Sequence, residues 1–139
     1  MEQQNSVWDI DAVAAFARRM LAADRSQAAE LINSGLRGAT EPGDTVDAGE
    51  AGNGIGAVAV IAADVYPQVL KGAPDADQLR AKLQDMDTEL TPARRVAGQA
   101  VLARVSLPQG NEWLDGLADE QRQAALAAVD ALAGLVAAD

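Results

Sequence analysis

Apolar residues recur along this chain at intervals of three and four, the spacing of one buried face of a helix. Val13, Phe16, Ala17, Met20 and Leu21 form the first such stripe and leave Arg18 and Arg19 on the wet side. Asp9 or Asp11 starts this helix as the cap, its carboxylate accepting free backbone N–H groups. With Asp9 as cap, Trp8 and Val13 stand at the two ends of a hydrophobic staple. A second helix is predicted from about Ser26 to Leu36, with Leu31, Ile32 and Leu36 inward. Gly35 and Gly38 both suit its left-handed end. Residues Ala39 to Val46, with Pro42 and Gly43, read as a loop.

Asp47 and Glu50 have the spacing of a capping box, and the helix they open should run to about Tyr66, where Pro67 disfavours continuation. Two faces differ along it. Ala51, Ile55, Val58, Ala62 and Val65 form an apolar stripe, whereas Gly52, Gly56, Ala59 and Ala63 form a stripe of very small residues. The glycines at 49, 52, 54 and 56 each cost about 1 kcal/mol of helix propensity. That cost makes sense if another helix lies unusually close. This helix is therefore expected to be central, buried nearly all round and frayed at its glycine-rich start.

After Gly72-Ala73-Pro74-Asp75, Leu79, Leu83, Met86 and Leu90 return to helical spacing, with the helix ending at or before Leu90. Thr91-Pro92 reads as a cap followed by proline at the first helical position, where the missing N–H costs nothing. Ala93, Val96, Ala97, Ala100 and Val101 give the next stripe, ending near Val105. Leu107 to Asn111 is a turn, and Asn111 caps a short turn holding Trp113, Leu114 and Leu117. A last helix from about Asp119 to Ala137 buries Ala125, Val129, Leu132 and Val136. No alternating strand pattern and no repeat occurs. The expectation is an all-α single compact domain over residues 1–139, with five or six short-loop helices around an alanine/glycine-rich central helix. Residues 1–7 are expected to be a flexible or extended lead-in.

Composition narrows the chemistry. The chain has 139 residues, 31 of them alanine, and only 3% are aromatic, which fits a thin helical core better than a disordered chain. Cysteine and histidine are both missing. Thiol catalysis, disulfide frameworks, thiolate or imidazole metal sites and every catalytic dyad or triad needing an imidazole are thereby excluded. Asp9 and Asp11 are two residues apart and point away from each other on a helix, so they read as a cap region rather than a cation site. Asp85, Asp87 and Glu89 read as a solvated helix exit. Lys71 and Lys82, the only lysines, are expected at the surface, and Tyr66 as a packing residue at the end of a buried helix. Gly52, Gly54 and Gly56 lack the lysine and preceding strand of a phosphate loop. No cofactor and no metal site is expected.

The net charge is -10. Between Arg37 and Lys71 stand five acids (Glu41, Asp44, Asp47, Glu50 and Asp64) and no base. Such a surface repels nucleic acid and anionic membrane and speeds encounter with a basic protein. The alternative is an ordinary solvated face. Trp8 and Trp113, both near helix starts, read either as core plugs or as interface anchors. The polar, acidic start from Met1 to Ser6 lacks the pattern of a signal peptide, and the apolar run from Ile55 to Ala63 is too short to span a bilayer. A cytoplasmic protein is the default expectation.

The segment from Trp8 to Phe16, Trp-Asp-Ile-Asp-Ala-Val-Ala-Ala-Phe, resembles the opening of a bacterial family, the domain of unknown function numbered 4259. Trp8 and Phe16 match its two aromatic positions, and Asp9 and Asp11 its two aspartates. The run from Ala57 to Ala63 is similar to that family's central helix, and Ala97 to Val105 with Trp113 to its closing helix and tryptophan. Ile10 stands where the family has asparagine, and its leading glycine-tryptophan-glycine segment has no counterpart. Over about residues 8–118 the resemblance implies a small all-α fold and no assigned activity.

Three classes of function follow. The first is a non-catalytic acidic binding module, of which an immunity or inhibitor protein neutralising a basic partner is one concrete form. Its candidate contact residues are Glu41, Asp44, Asp47, Glu50, Trp8 and Trp113. The second is a structural or self-associating protein, and the third a metal-dependent enzyme built on carboxylates alone.

Overall fold

The computed structural model of the chain describes residues 7–38, 46–73, 75–86, 89–107 and 110–137. Among them the protein is all-α. Its helices are α1 (Asp11–Ala22), α2 (Arg25–Gly38), α3 (Ala48–Ala62), α4 (Ala76–Gln84), α5 (Pro92–Val105), α6 (Glu112–Asp115) and α7 (Asp119–Ala137), with 3₁₀ turns at Val7–Asp9 and Pro67–Leu70. One cluster of buried apolar side chains extends from Val7 through α3 to Val136. The seventh helix beyond the expected five or six is α6, the single turn that carries Trp113.

Central position falls to α3. It packs most heavily on α2 and α1, and then on α5. Its small stripe is the reason these neighbours come so close. A Cβ placed on Gly52 would lie 2.5 Å from the Ala12 Cβ, and one on Gly56 would lie 2.4 Å from the Phe16 ring. On the α2 side, a Cβ on Gly35 would lie 2.4 Å from the Asn53 carbonyl oxygen. Gly35 is thus a contact residue inside α2, which continues to Gly38, and does not end the helix as expected. The start of α3 is not frayed. Asp47 Oδ1 accepts from the Glu50 N–H at 2.8 Å, the Glu50 carboxylate accepts from the Asp47 N–H at 3.3 Å, and Gly52, Gly54 and Gly56 are all buried. Buried neighbours offset the propensity cost of the glycines.

Several expected boundaries move. α3 stops at Ala62, so Val65 sits in the following turn with half its surface in water, 50% exposed. Neither Asp9 nor Asp11 caps α1. Ile10 holds that position without a side-chain bond, and Asp9 belongs to the preceding turn, so Trp8 and Val13 do not form the expected staple. Val7, assigned to the lead-in, is buried; residues 1–6 lie outside the described residues. In α5 the inward face is Gly98, Val101, Leu102 and Val105, while Val96 is 65% exposed. Of the expected stripe Val101 is buried, Ala97 half-buried, and Ala93, Val96 and Ala100 exposed; Gly98, Leu102 and Val105 share helical spacing with Val101 on a neighbouring face. The face richer in large side chains is buried because burial stabilises in proportion to apolar area.

Candidate functional site

Three chain segments distant in sequence meet at one end of the bundle. Loop residue Val46 forms an isolated parallel bridge with Asn111: its N–H donates to the Gly110 carbonyl at 2.8 Å, and its own carbonyl accepts from the Glu112 N–H at 2.9 Å. Gly110 takes a φ of 78°, a left-handed conformation that suits glycine. This bridge brings the start of α3 beside α6, and the Val7–Asp9 turn packs on α7 and α3.

Between these segments lies a cleft of about 500 Å³. Trp113 and Ala125 line it as buried residues, with Ile10 and Leu117 half-buried. Asp9, Asp11 and Glu112 line it as exposed residues, so the lining joins exposed acids to buried and half-buried apolar side chains. Ala12, Ala48, Gly116, Gln121 and Ala124 also line it, and among the described residues the lining contains no lysine or arginine. Among the described residues no group of three or more acidic side chains is arranged to hold a metal ion. The three acids therefore line one cleft without converging on a point.

The two tryptophans take different places. Trp8 is 4% exposed, and its indole N–H donates to the Val69 carbonyl at 2.7 Å, pinning the N-terminal turn to the segment after α3. Trp113 is 5% exposed and donates to the Val105 carbonyl at 3.2 Å, and it also lines the cleft. Both are buried, and of the two only Trp113 is among the described residues that line this cleft. Of the expected acidic edge, Glu41 and Asp44 lie outside the described residues. Asp47 and Glu50 bond each other's backbone in the capping box, and neighbouring Ala48 lines the cleft. Asp64 is set apart from this edge by a structural bond, accepting from the Leu90 N–H at 3.3 Å.

Other expectations resolve into structural roles. Lys82 is half-buried, and its ammonium donates to the Leu21 and Ala23 carbonyls at the end of α1, where a helix favours a cation. Asn111, expected as a side-chain cap, is 2% exposed; its amide instead donates to the Arg104 and Leu107 carbonyls at 3.0 and 2.9 Å. Asp85 ends α4 exposed, and Asp87 lies outside the described residues. Residue-by-residue reading missed Glu112, Leu117 and Ile10 as members of one site. The first and last parts of the lining are a hundred residues apart, and only the Val46–Asn111 bridge and the packing of the N-terminal turn on α7 unite them. No family model matches the chain, and no match was found among curated proteins or solved structures. No helix among the described residues is long and apolar enough to cross a membrane.

Proposed function

We propose that this chain is a non-catalytic binding module whose partner is a basic protein, with an immunity or inhibitor role as the concrete form. The observation that carries this reading is the cleft: lined by apolar side chains together with the exposed Asp9, Asp11 and Glu112 and, among the described residues, by no basic residue. A net charge of -10 on the whole chain supports it, because the summed field would draw in a positively charged protein. An inhibitor of this kind needs charge complementarity and no reacting groups of its own, which agrees with a sequence lacking both cysteine and histidine. We keep the resemblance to the 4259 family as a proposal of kinship; it adds no activity.

The test is affinity capture from extracts of the source cells at about 50 mM salt, with mass spectrometry and reconstitution of the purified pair. A partner with a high isoelectric point whose complex dissociates as salt rises supports the reading. If that partner is a nuclease or other toxic enzyme encoded beside this chain and inhibited by it, the immunity form stands. Capture of only further copies of this chain moves the reading to a self-associating structural protein.

A further inference from the structure

We infer that the cleft between the N-terminal turn, α3 and α6–α7 receives an arginine side chain, together with a neighbouring aliphatic side chain, from an exposed segment of that basic partner. The inference rests on the binding-module reading and names the contact through which it would work. Its first support is the division of the lining. Exposed Asp11 and Glu112 come from different elements and line the same cleft as the half-buried Ile10 and Leu117 and the buried Trp113. Arginine has the matching division, with an apolar three-carbon stem and a planar cation that bonds carboxylates in pairs. Its guanidinium also stacks on aromatic faces and gives up water more readily than an ammonium.

Size is the second support. About 500 Å³ falls in the range of roughly 300–1,000 Å³ usual for sites that enclose a ligand, more than a lone cation would fill. An aliphatic side chain beside the arginine would take up the remaining apolar surface. Charge complementarity is the third: exposed acids, with no lysine or arginine among the described residues of the lining, disfavour an acidic segment as occupant.

The probe is the blocked peptide acetyl-Leu-Arg-Leu-Arg-amide, compared with its citrulline analogue, which keeps the shape and loses the charge. Binding to the full chain is followed by ¹H–¹⁵N chemical shifts at about 50 mM salt, including the Trp113 indole N–H signal. The expected result is saturable shifts concentrated at residues 9–12, 112–117 and 121–125, at least tenfold weaker for the citrulline peptide. The variant Asp11→Asn/Glu112→Gln should weaken the arginine peptide at least fivefold, whereas Asp119→Asn/Glu120→Gln on the start of α7, outside the lining, should not. Leu117→Ser separately tests the apolar wall. An unaltered ¹H–¹⁵N spectrum away from the substituted positions shows each variant folded. Charge-dependent shifts that fall elsewhere on the acidic surface overturn the cleft as the contact and leave the binding-module reading standing. The same shifts for the arginine and citrulline peptides overturn the choice of arginine. An absence of any binding at low salt, together with no basic partner in the capture experiment, overturns both.

Discussion

Asn111 holds together the corner on which the cleft depends. It is the one buried polar side chain among the described residues, and its amide closes the turn between α5 and α6 with two bonds to carbonyls. Replacing it by alanine leaves the Arg104 and Leu107 carbonyls without that partner, for an expected loss of about 1–3 kcal/mol in denaturant titration. Asn111→Asp should cost more, since a carboxylate would face the same two carbonyls with no donor. Glycines allow a second comparison, in which identical chemistry should act in opposite directions. Gly56→Ala drives a methyl into the buried Phe16 ring and is expected to destabilise by about 1–3 kcal/mol. Gly134 lies in α7 with nothing within 4 Å of an added Cβ, so Gly134→Ala should stabilise by about 0.5–1 kcal/mol. Thermal melts of the two variants check the pair; a Gly56→Ala protein as stable as the parent would mean that α1 and α3 are not in contact there. The sequence announced Gly56 by its place in a small-residue stripe. It gave no such sign for Asn111, because a capping asparagine and a buried one look alike until the opposing carbonyls are placed.

At the scale of elements, legibility followed how local the physics is. The Asp47–Glu50 capping box and the Thr91–Pro92 start were readable because each involves residues three or fewer apart, and both form as the spacing predicts. Asp24 and Gln27 make the same reciprocal pair at the start of α2, at 2.7 and 3.1 Å, so α2 begins at Arg25, one residue before the expected Ser26. Asp24→Ala and Asp47→Ala should each cost about 1 kcal/mol, read from urea midpoints. The orientation of α5 was not legible. Its alanines make a helical stripe as regular as the heavier Val101, Leu102 and Val105, and only tertiary packing chooses between them. For α3 the sequence was clearer, because a close helix neighbour explains so many glycines at helical spacing, whereas a phosphate loop would need a lysine and a strand that are missing. Ala59 is fully buried in that helix. Ala59→Leu is accordingly expected to destabilise by about 1–3 kcal/mol, because further methylenes have no space to enter. A change under about 0.5 kcal/mol would show that face to be open.

For the whole molecule, acids at different distances from a partner should act on different stages of binding. The surplus of negative charge and the acid run after Arg37 were plain in the sequence, but the cleft was not, since its two halves come together only through tertiary packing. Asp11 and Glu112 edge the cleft and would touch the inserted side chain. Their neutralisation should therefore raise the dissociation rate, because a lost short-range contact is felt after docking. Glu41 and Asp44 lie in the acid run that leads to Val46, which the bridge to Asn111 joins to α6. Acting through the long-range field, they should govern the approach instead. Glu41→Lys/Asp44→Lys is expected to lower the association rate with the basic partner, with little change in dissociation. Because the Debye length shortens from roughly 14 Å at 50 mM salt to about 4 Å at 500 mM, the difference from the parent should shrink across that range. Folding stability of this variant should stay within about 0.5 kcal/mol of the parent, as for surface substitutions generally. Stopped-flow association measured across the salt series separates the two roles. Equal association rates for parent and lysine variant at low salt would remove Glu41 and Asp44 from the binding edge, leaving the cleft acids as the only charges argued to meet the partner.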